Sequence, residues 1–128
     1  MIKRFVSERR RHPRVSYVWP VQFSEVNGKT LTPFRPGKSK NLSQGGMKIT
    51  VLHPLNRDTA VLLDTNLDRL SIHIKLKDIL VVSKARILAE VAWRHLNLET
   101  GFFETGFLFV HTHRRQEFES LMAQTVAT

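Results

Sequence analysis

The chain has 128 residues, enough for one domain around one hydrophobic core and too few for two ordinary ones. It contains no cysteine, which excludes disulfides, thiolate metal sites and cysteine nucleophiles together and makes the cytosol the expected compartment. Its formal net charge is +9, and residues 1–14 hold Lys3, Arg4, Arg9, Arg10, Arg11 and Arg14 against the single Glu8, so the excess is concentrated at one end and calls for an anionic partner.

The first residues lack an apolar stretch long enough for a secretion signal, and Ile79-Leu80-Val81-Val82 falls far short of the roughly 20 apolar residues of a membrane span. Pro13 biases His12 towards extended backbone, so the arginines read as an exposed arm entering a strand, not as one face of a helix. Val15, Tyr17, Trp19, Val21 and Phe23 then alternate with Ser16, Val18, Pro20, Gln22 and Ser24, which predicts a first strand with an edge or bulge at Pro20.

Asn27-Gly28 and Pro33-Phe34-Arg35-Pro36-Gly37 have turn chemistry and predict a loop excursion of about ten residues between them. A short strand runs into Asn41, Gly45-Gly46 form the predicted turn, and Met47, Ile49 and Val51 alternate along the next strand. Residues 53–68 give no pattern, because Pro54, Asn56, Asp58, Asp64 and Asn66 interrupt the apolar positions. Leu70, Ile72, Ile74 and Leu76 alternate again, and with the run from Ile79 to Arg94 they predict a hairpin.

Phe102 to Val110 is a closing strand with Phe103, Phe107 and Phe109 on one face. Behind it Phe118, Leu121, Met122 and Thr125 recur at helical spacing, with Thr112 as the expected N-cap, although Arg114 and Arg115 sit poorly at the positive end of a helix dipole. The fold class expected is all-β with a terminal helix: a six-stranded antiparallel β-barrel plus a short C-terminal α-helix. Residues 1–14 form a flexible basic arm, 15–124 the barrel with its helix, and 125–128 a tail. Trp19, Trp93 and the phenylalanines are assigned to the core, and Val18 and Leu80 to outer faces that could support a dimer.

Two segments carry chemistry. Arginine presents a fixed fork of donors that grips phosphate oxygens in pairs and reads the O6 and N7 acceptors of guanine, which lysine does not. Asn41-Leu42-Ser43-Gln44-Gly45-Gly46 is a polar turn between two predicted strands, with side-chain donors and acceptors and with glycines that let a ligand approach the backbone. His111 and His113 share a strand side but have no nearby carboxylate or thiolate to complete a metal shell. Ser43 lacks a nucleophile elbow and the carboxylates form no pair suited to acid–base work, so no enzyme activity is expected.

Together the two segments resemble the PilZ domain signature, Arg-Arg-x-x-x-Arg followed by Asp/Asn-x-Ser-x-x-Gly. Only one register fits, because Pro13 stands four residues after Arg9 and Val15 four after Arg11; Arg10 therefore pairs with Arg14. The resemblance runs from about Glu8 to the region of residue 122, and Val91-Ala92-Trp93-Arg94 and Gly106-Phe107-Leu108-Phe109 are similar to the family's closing strands. It implies a cytoplasmic bacterial receptor for the second messenger cyclic di-GMP, with Arg10 and Arg14 on guanine edges and phosphates and Arg9 adding a phosphate or stacking contact. Asn41 and Ser43 would meet a guanine and its phosphate, and Gly46 would give clearance. An arginine at position 9 implies two stacked ligand molecules per chain. The arginine arm would order on binding and the complex would signal to a downstream partner protein, the chain being monomer or homodimer. The alternatives are a small nucleic-acid-binding β-barrel, whose affinity would fall steeply with salt, and a protein-interaction domain of this fold acting without ligand, against which the intact signature argues.

Overall fold

The computed structural model describes residues 14–27 and 30–120. Nine strands stand among them: β1 Val15–Ser16, β2 Pro20–Asn27, β3 Thr30–Leu31, β4 Arg35–Ser43, β5 Gly46–Val51, β6 Ala60–Asp64, β7 Val81–Ser83, β8 Arg86–Leu96 and β9 Phe103–Phe109. Every pairing is antiparallel. Six strands close on themselves in the order β2, β4, β5, β9, β8, β6 and back to β2, the expected barrel.

The first predicted strand is divided. β1 pairs with the end of β4, Val15 with Leu42 and Ser16 with Asn41, whereas β2 pairs with its beginning, from Pro20 opposite Lys38 to Phe23 opposite Arg35. Pro20 opens β2 directly after the break, where its missing N–H costs no ladder bond. The predicted loop across 33–37 is also revised. β2 and β3 pair antiparallel, with Asn27 opposite Thr30, and Arg35, Pro36 and Gly37 already belong to β4. Pro36 is tolerated because β5 pairs with β4 only from Gly37 onward.

The alternation of Met47, Ile49 and Val51, and of Phe107 and Phe109, is that of buried inward residues, as predicted. Residues 53–68 contain a strand that period two does not reveal. In β6, Val61 and Leu63 enter the interior cluster, while Leu62 faces a second apolar cluster outside the barrel with Leu80, Val82, Leu88 and Val110. A strand buried on both faces reads as a continuous apolar run.

The stretch from Leu70 to Leu76 is not a strand. Helix α1 spans Leu67–Leu70, a turn follows, and a 3-10 turn covers Leu76–Asp78. The reason is local: Asn66 Oδ1 accepts from Arg69 N–H at 3.0 Å and caps α1. Leu70 and Ile74, four apart, then turn into the interior cluster, and Ile72 is left 76% exposed. The hairpin lies instead within the run from Ile79 to Arg94, where β7 folds onto β8 around Lys84-Ala85.

Beyond β9 a 3-10 turn spans Thr112–Phe118, and helical backbone continues at Glu119 and Ser120. The cap residue is His111, not Thr112, because His111 is still extended and bridges Ile79. Leu121, Met122 and Thr125 lie outside the described residues. Arg114 is accommodated by two acids: it donates to both carboxylate oxygens of Glu90 at 2.6 and 3.0 Å and to both of Glu117 at 3.0 Å. The Glu90 hydrogen bonds chiefly hold its guanidinium protonated, and its own hydrogen bonds hold the Glu117 carboxyl below the ordinary value. Phe118 thereby packs on the outer cluster.

Leu80 is buried in that cluster at 1% exposure, so it is no outer face; Val18, at 58%, is. No helix among the described residues is long and apolar enough to cross a membrane. Leu70→Ala should lower the unfolding free energy by about 2–5 kcal/mol in urea denaturation, whereas Ile72→Ala should stay within about 0.5 kcal/mol. Similar losses at both positions would contradict the helical turn.

Candidate ligand-binding wall

The break between β1 and β2 is filled by one side chain. Ser39, buried in β4, donates from Oγ to the Tyr17 carbonyl at 2.7 Å and accepts from Trp19 N–H at 2.9 Å. Its backbone N–H reaches the Trp19 carbonyl at 3.0 Å, and Tyr17 N–H reaches the Lys40 carbonyl at 3.1 Å. A buried hydroxyl thus satisfies groups that the interrupted ladder would orphan. It also steers β1 onto the Asn41–Leu42 end of β4.

One residue further, the β4–β5 register slips: Ser39 is opposite Ile49, but Asn41 is opposite Lys48, which leaves Lys40 as a bulge. The slip turns Lys40 and Asn41 outward between buried Ser39 and buried Leu42. The turn that follows consists of Gln44 and Gly45, since Ser43 already pairs with Gly46; the two glycines are therefore not the turn. Gly46 is buried in β5, where a Cβ would run into the carbonyl oxygen of Phe107 in β9. Its lack of a side chain lets two strands meet.

Cross-strand register lines up a row on the outer wall. Ser16 is opposite Asn41, Asn41 opposite Lys48, Lys48 opposite Gly106, and Gly106 opposite Trp93. With strands about 4.8 Å apart, Asn41 and Trp93 stand roughly 14 Å from each other across the sheet. Trp93 is 38% exposed, and its indole lies over Gly106 where a Cβ would collide with the ring. The assignment of Trp93 to the barrel core is thus corrected: a β-bulge between Val91 and Trp93 re-aims it outward. The signal was present in the sequence as a glycine, Gly106, in an otherwise aromatic strand, since such a glycine marks the close approach of another group. Trp19 is half-buried against the interior cluster and carries the Arg69 guanidinium 3.8 Å above its ring.

The wall is basic with one acid set into it. Glu104, 7% exposed, sits beneath Lys48 Nζ at 3.4 Å and Lys40 Nζ at 3.8 Å, and Thr50 Oγ1 donates to it at 3.4 Å. Two ammonium groups over one carboxylate leave a positive surface beside Asn41. Arg14 is exposed and immediately precedes Val15, the partner of Leu42, so it stands beside this row on the side of Ser43. The structure thus gathers Arg14, Asn41 and Ser43 at one edge of the wall, with Gly46 beneath the adjoining turn; Arg9 and Arg10 lie outside the described residues.

Other features do not join this row. A cavity of about 370 Å³ is lined by Asp64, Thr65, Asn66, Leu67, Asp68, Lys84 and Ala85, with carboxylates that disfavour an anion. His111 and His113 stack with ring centroids 5.7 Å apart, away from any strand ladder beyond the single bridge to Ile79. Among the described residues no three His, Asp or Glu side chains gather as a metal site. The Tyr17 hydroxyl is buried without a hydrogen-bond partner, and burial raises its pKa despite the nearby Arg69 charge.

Gly106→Ala should push the indole off the wall. In a Trp19→Phe background, iodide quenching of the remaining Trp93 fluorescence should rise, with a loss of about 1–3 kcal/mol in stability from overpacking. Unchanged quenching would mean that the indole does not rest on Gly106.

Comparison with known proteins agrees with this architecture. None of the curated proteins compared with the chain matches it. The family model described as PilZ domain matches residues 8–124, a span that takes in the arginine cluster, every described strand and the C-terminal turn. The PilZ domain family is in general one of cyclic di-GMP-binding receptors. With nearly its whole length matched, and with a closed six-stranded antiparallel barrel as its fold, the chain belongs to the PilZ domain family.

Proposed function

We propose that this chain is a cyclic di-GMP receptor whose site is formed by Arg9, Arg10 and Arg14 together with Asn41 and Ser43. The observation that carries the reading is the pairing of β1 with β4, Ser16 opposite Asn41, which brings the chain leaving Arg14 alongside the Asn41–Gly46 turn. Arginine forks grip the phosphates and the Hoogsteen edge of guanine. The Asn41 carboxamide and the Ser43 hydroxyl offer the complementary donors and acceptors from the barrel. Lys40 and Lys48 add positive charge along the same wall, and the exposed indole of Trp93 offers a flat face for a base.

Binding orders the arginine arm over the nucleotide, and the altered surface is then read by a downstream protein. Arg9 supports a second, stacked ligand molecule, giving two per chain.

Isothermal calorimetry with cyclic di-GMP tests the assignment. The wild-type chain should bind saturably with two equivalents of ligand. Arg10→Ala, Arg14→Ala and Asn41→Ala should each weaken binding about thirtyfold or more, as loss of charge-assisted or paired contacts of about 2 kcal/mol or more requires. Arg9→Ala should lower the stoichiometry to one. No saturable binding, or binding undiminished in the Arg10 and Arg14 variants, would refute the site. A nucleic-acid-binding barrel would instead prefer an oligonucleotide over the cyclic dinucleotide, with an affinity that falls steeply with salt.

A further inference from the structure

The position between Ser43 and Gly45 is one that the binding signature leaves unspecified, yet its side chain ties the turn to a distant segment outside the β-ladder. Gln44 Nε2 donates to the carbonyl oxygen of Lys75 at 2.8 Å, and Lys75 N–H donates back to Gln44 Oε1 at 2.8 Å, across 31 residues of sequence. The carboxamide thus pairs with a peptide group as a neighbouring strand would, using its donor and its acceptor together.

Two further contacts tie down the same segment. His73 meets the Tyr17 ring edge-on, with centroids 5.4 Å apart and an interplanar angle of 75°. Arg69 covers the Trp19 ring. Beneath these, Leu70 and Ile74 are buried in the interior cluster, while Ile72, Lys75 and Lys77 face outward. The other end of every tie belongs to a segment that adjoins the candidate ligand residues: Tyr17 and Trp19 follow Ser16, and Gln44 follows Ser43.

The turn has little freedom to move in the other direction. Gly46, its far anchor, lies against the Phe107 carbonyl in β9 and has no slack towards the sheet. A displacement of Asn41 and Ser43 would therefore reach the Lys75 peptide through Gln44, just before the 3-10 turn Leu76–Asp78.

We propose that Gln44 is a positioning residue for the ligand turn, and that its latch on Lys75 makes residues 71–77 the part of the surface that responds when the site is filled. The proposal rests on the cyclic di-GMP reading of that site. Its physical content is a pair of hydrogen bonds whose geometry differs between the empty and occupied turn, so that ligand affinity and the stability of the 71–77 segment are linked.

The test combines calorimetry with hydrogen exchange on the full chain, with and without cyclic di-GMP. In the wild type, ligand should slow exchange of the amides in 71–77 by about threefold or more. Gln44→Ala should weaken binding roughly three- to tenfold, the scale of one or two modest net hydrogen bonds. It should also abolish the ligand response of 71–77 while protection at 41–46 persists. Gln44→Glu keeps an acceptor for the Lys75 N–H but sets a carboxylate oxygen against its carbonyl, and should behave like the alanine variant. A turn held only by the fold would lose stability on substitution and show no ligand-dependent difference. Binding by the wild type with unaltered exchange at 71–77, or a Gln44→Ala chain with unaltered affinity and response, would overturn the latch alone. Absence of binding by the wild type would overturn the receptor reading and the latch with it.

Discussion

Strand β4 has to share one of its edges between two segments, and the hydroxyl of Ser39 makes that sharing possible. β2 occupies the edge as far as Lys38 and β1 takes it up again at Asn41. Between them Tyr17 to Trp19 would present unpaired peptide groups to the interior if Ser39 did not bond both sides of the gap. An orphaned buried peptide group costs about 1–3 kcal/mol, comparable to a sizeable fraction of the stability of a small domain. With the gap closed, β2 completes the barrel and β1 is free to run beside the Asn41–Gly46 turn. The same chain segment thus closes the fold and delivers the arginine side of the wall.

The electrostatics of that wall follow from a second local irregularity, the Lys40 bulge. Without it, outward and inward positions would stay in phase from Ser39 to Ser43, and Asn41 would share the buried face with Ser39. The extra residue places Lys40 and Asn41 side by side on the outside, next to Lys48. Glu104 beneath them is a half-screened counter-charge. An anion arriving above the two ammonium groups would meet a surface with one positive charge in excess of its single carboxylate.

Period-two alternation made β5 and β9 legible, because each has one face on the interior and one on the outer wall. The motif residues Asn41 and Ser43 were legible as a polar turn between strands, and the barrel as a count of such strands. What could not be read has a physical cause in each case. Val61-Leu62-Leu63 shows no alternation because the outer cluster buries Leu62 as fully as the interior buries its neighbours. Leu70 to Leu76 alternates, but Leu70 and Ile74 satisfy a spacing of four as well as one of two, and the cap supplied by Asn66 decides between them. Trp93 alternated with polar residues in sequence, and a single bulge reversed the face it occupies. Short-range irregularities, invisible in a pattern, carried most of the difference.

The second apolar cluster gives the barrel an orientation. A closed cylinder of six strands has no front: any stretch of its circumference is as good a place for contact as another. Leu62 and Leu88 on the outside of β6 and β8, blanketed by Leu80, Val82, Val110 and Phe118, remove that equivalence. Among the described residues the wall built from β4, β5 and β9 lies outside this cluster, and β1 pairs along its β4 edge. The blanket therefore works as an address: it tells one flank of the cylinder from the other and leaves the row of Asn41, Lys48 and Trp93 on the flank it does not cover.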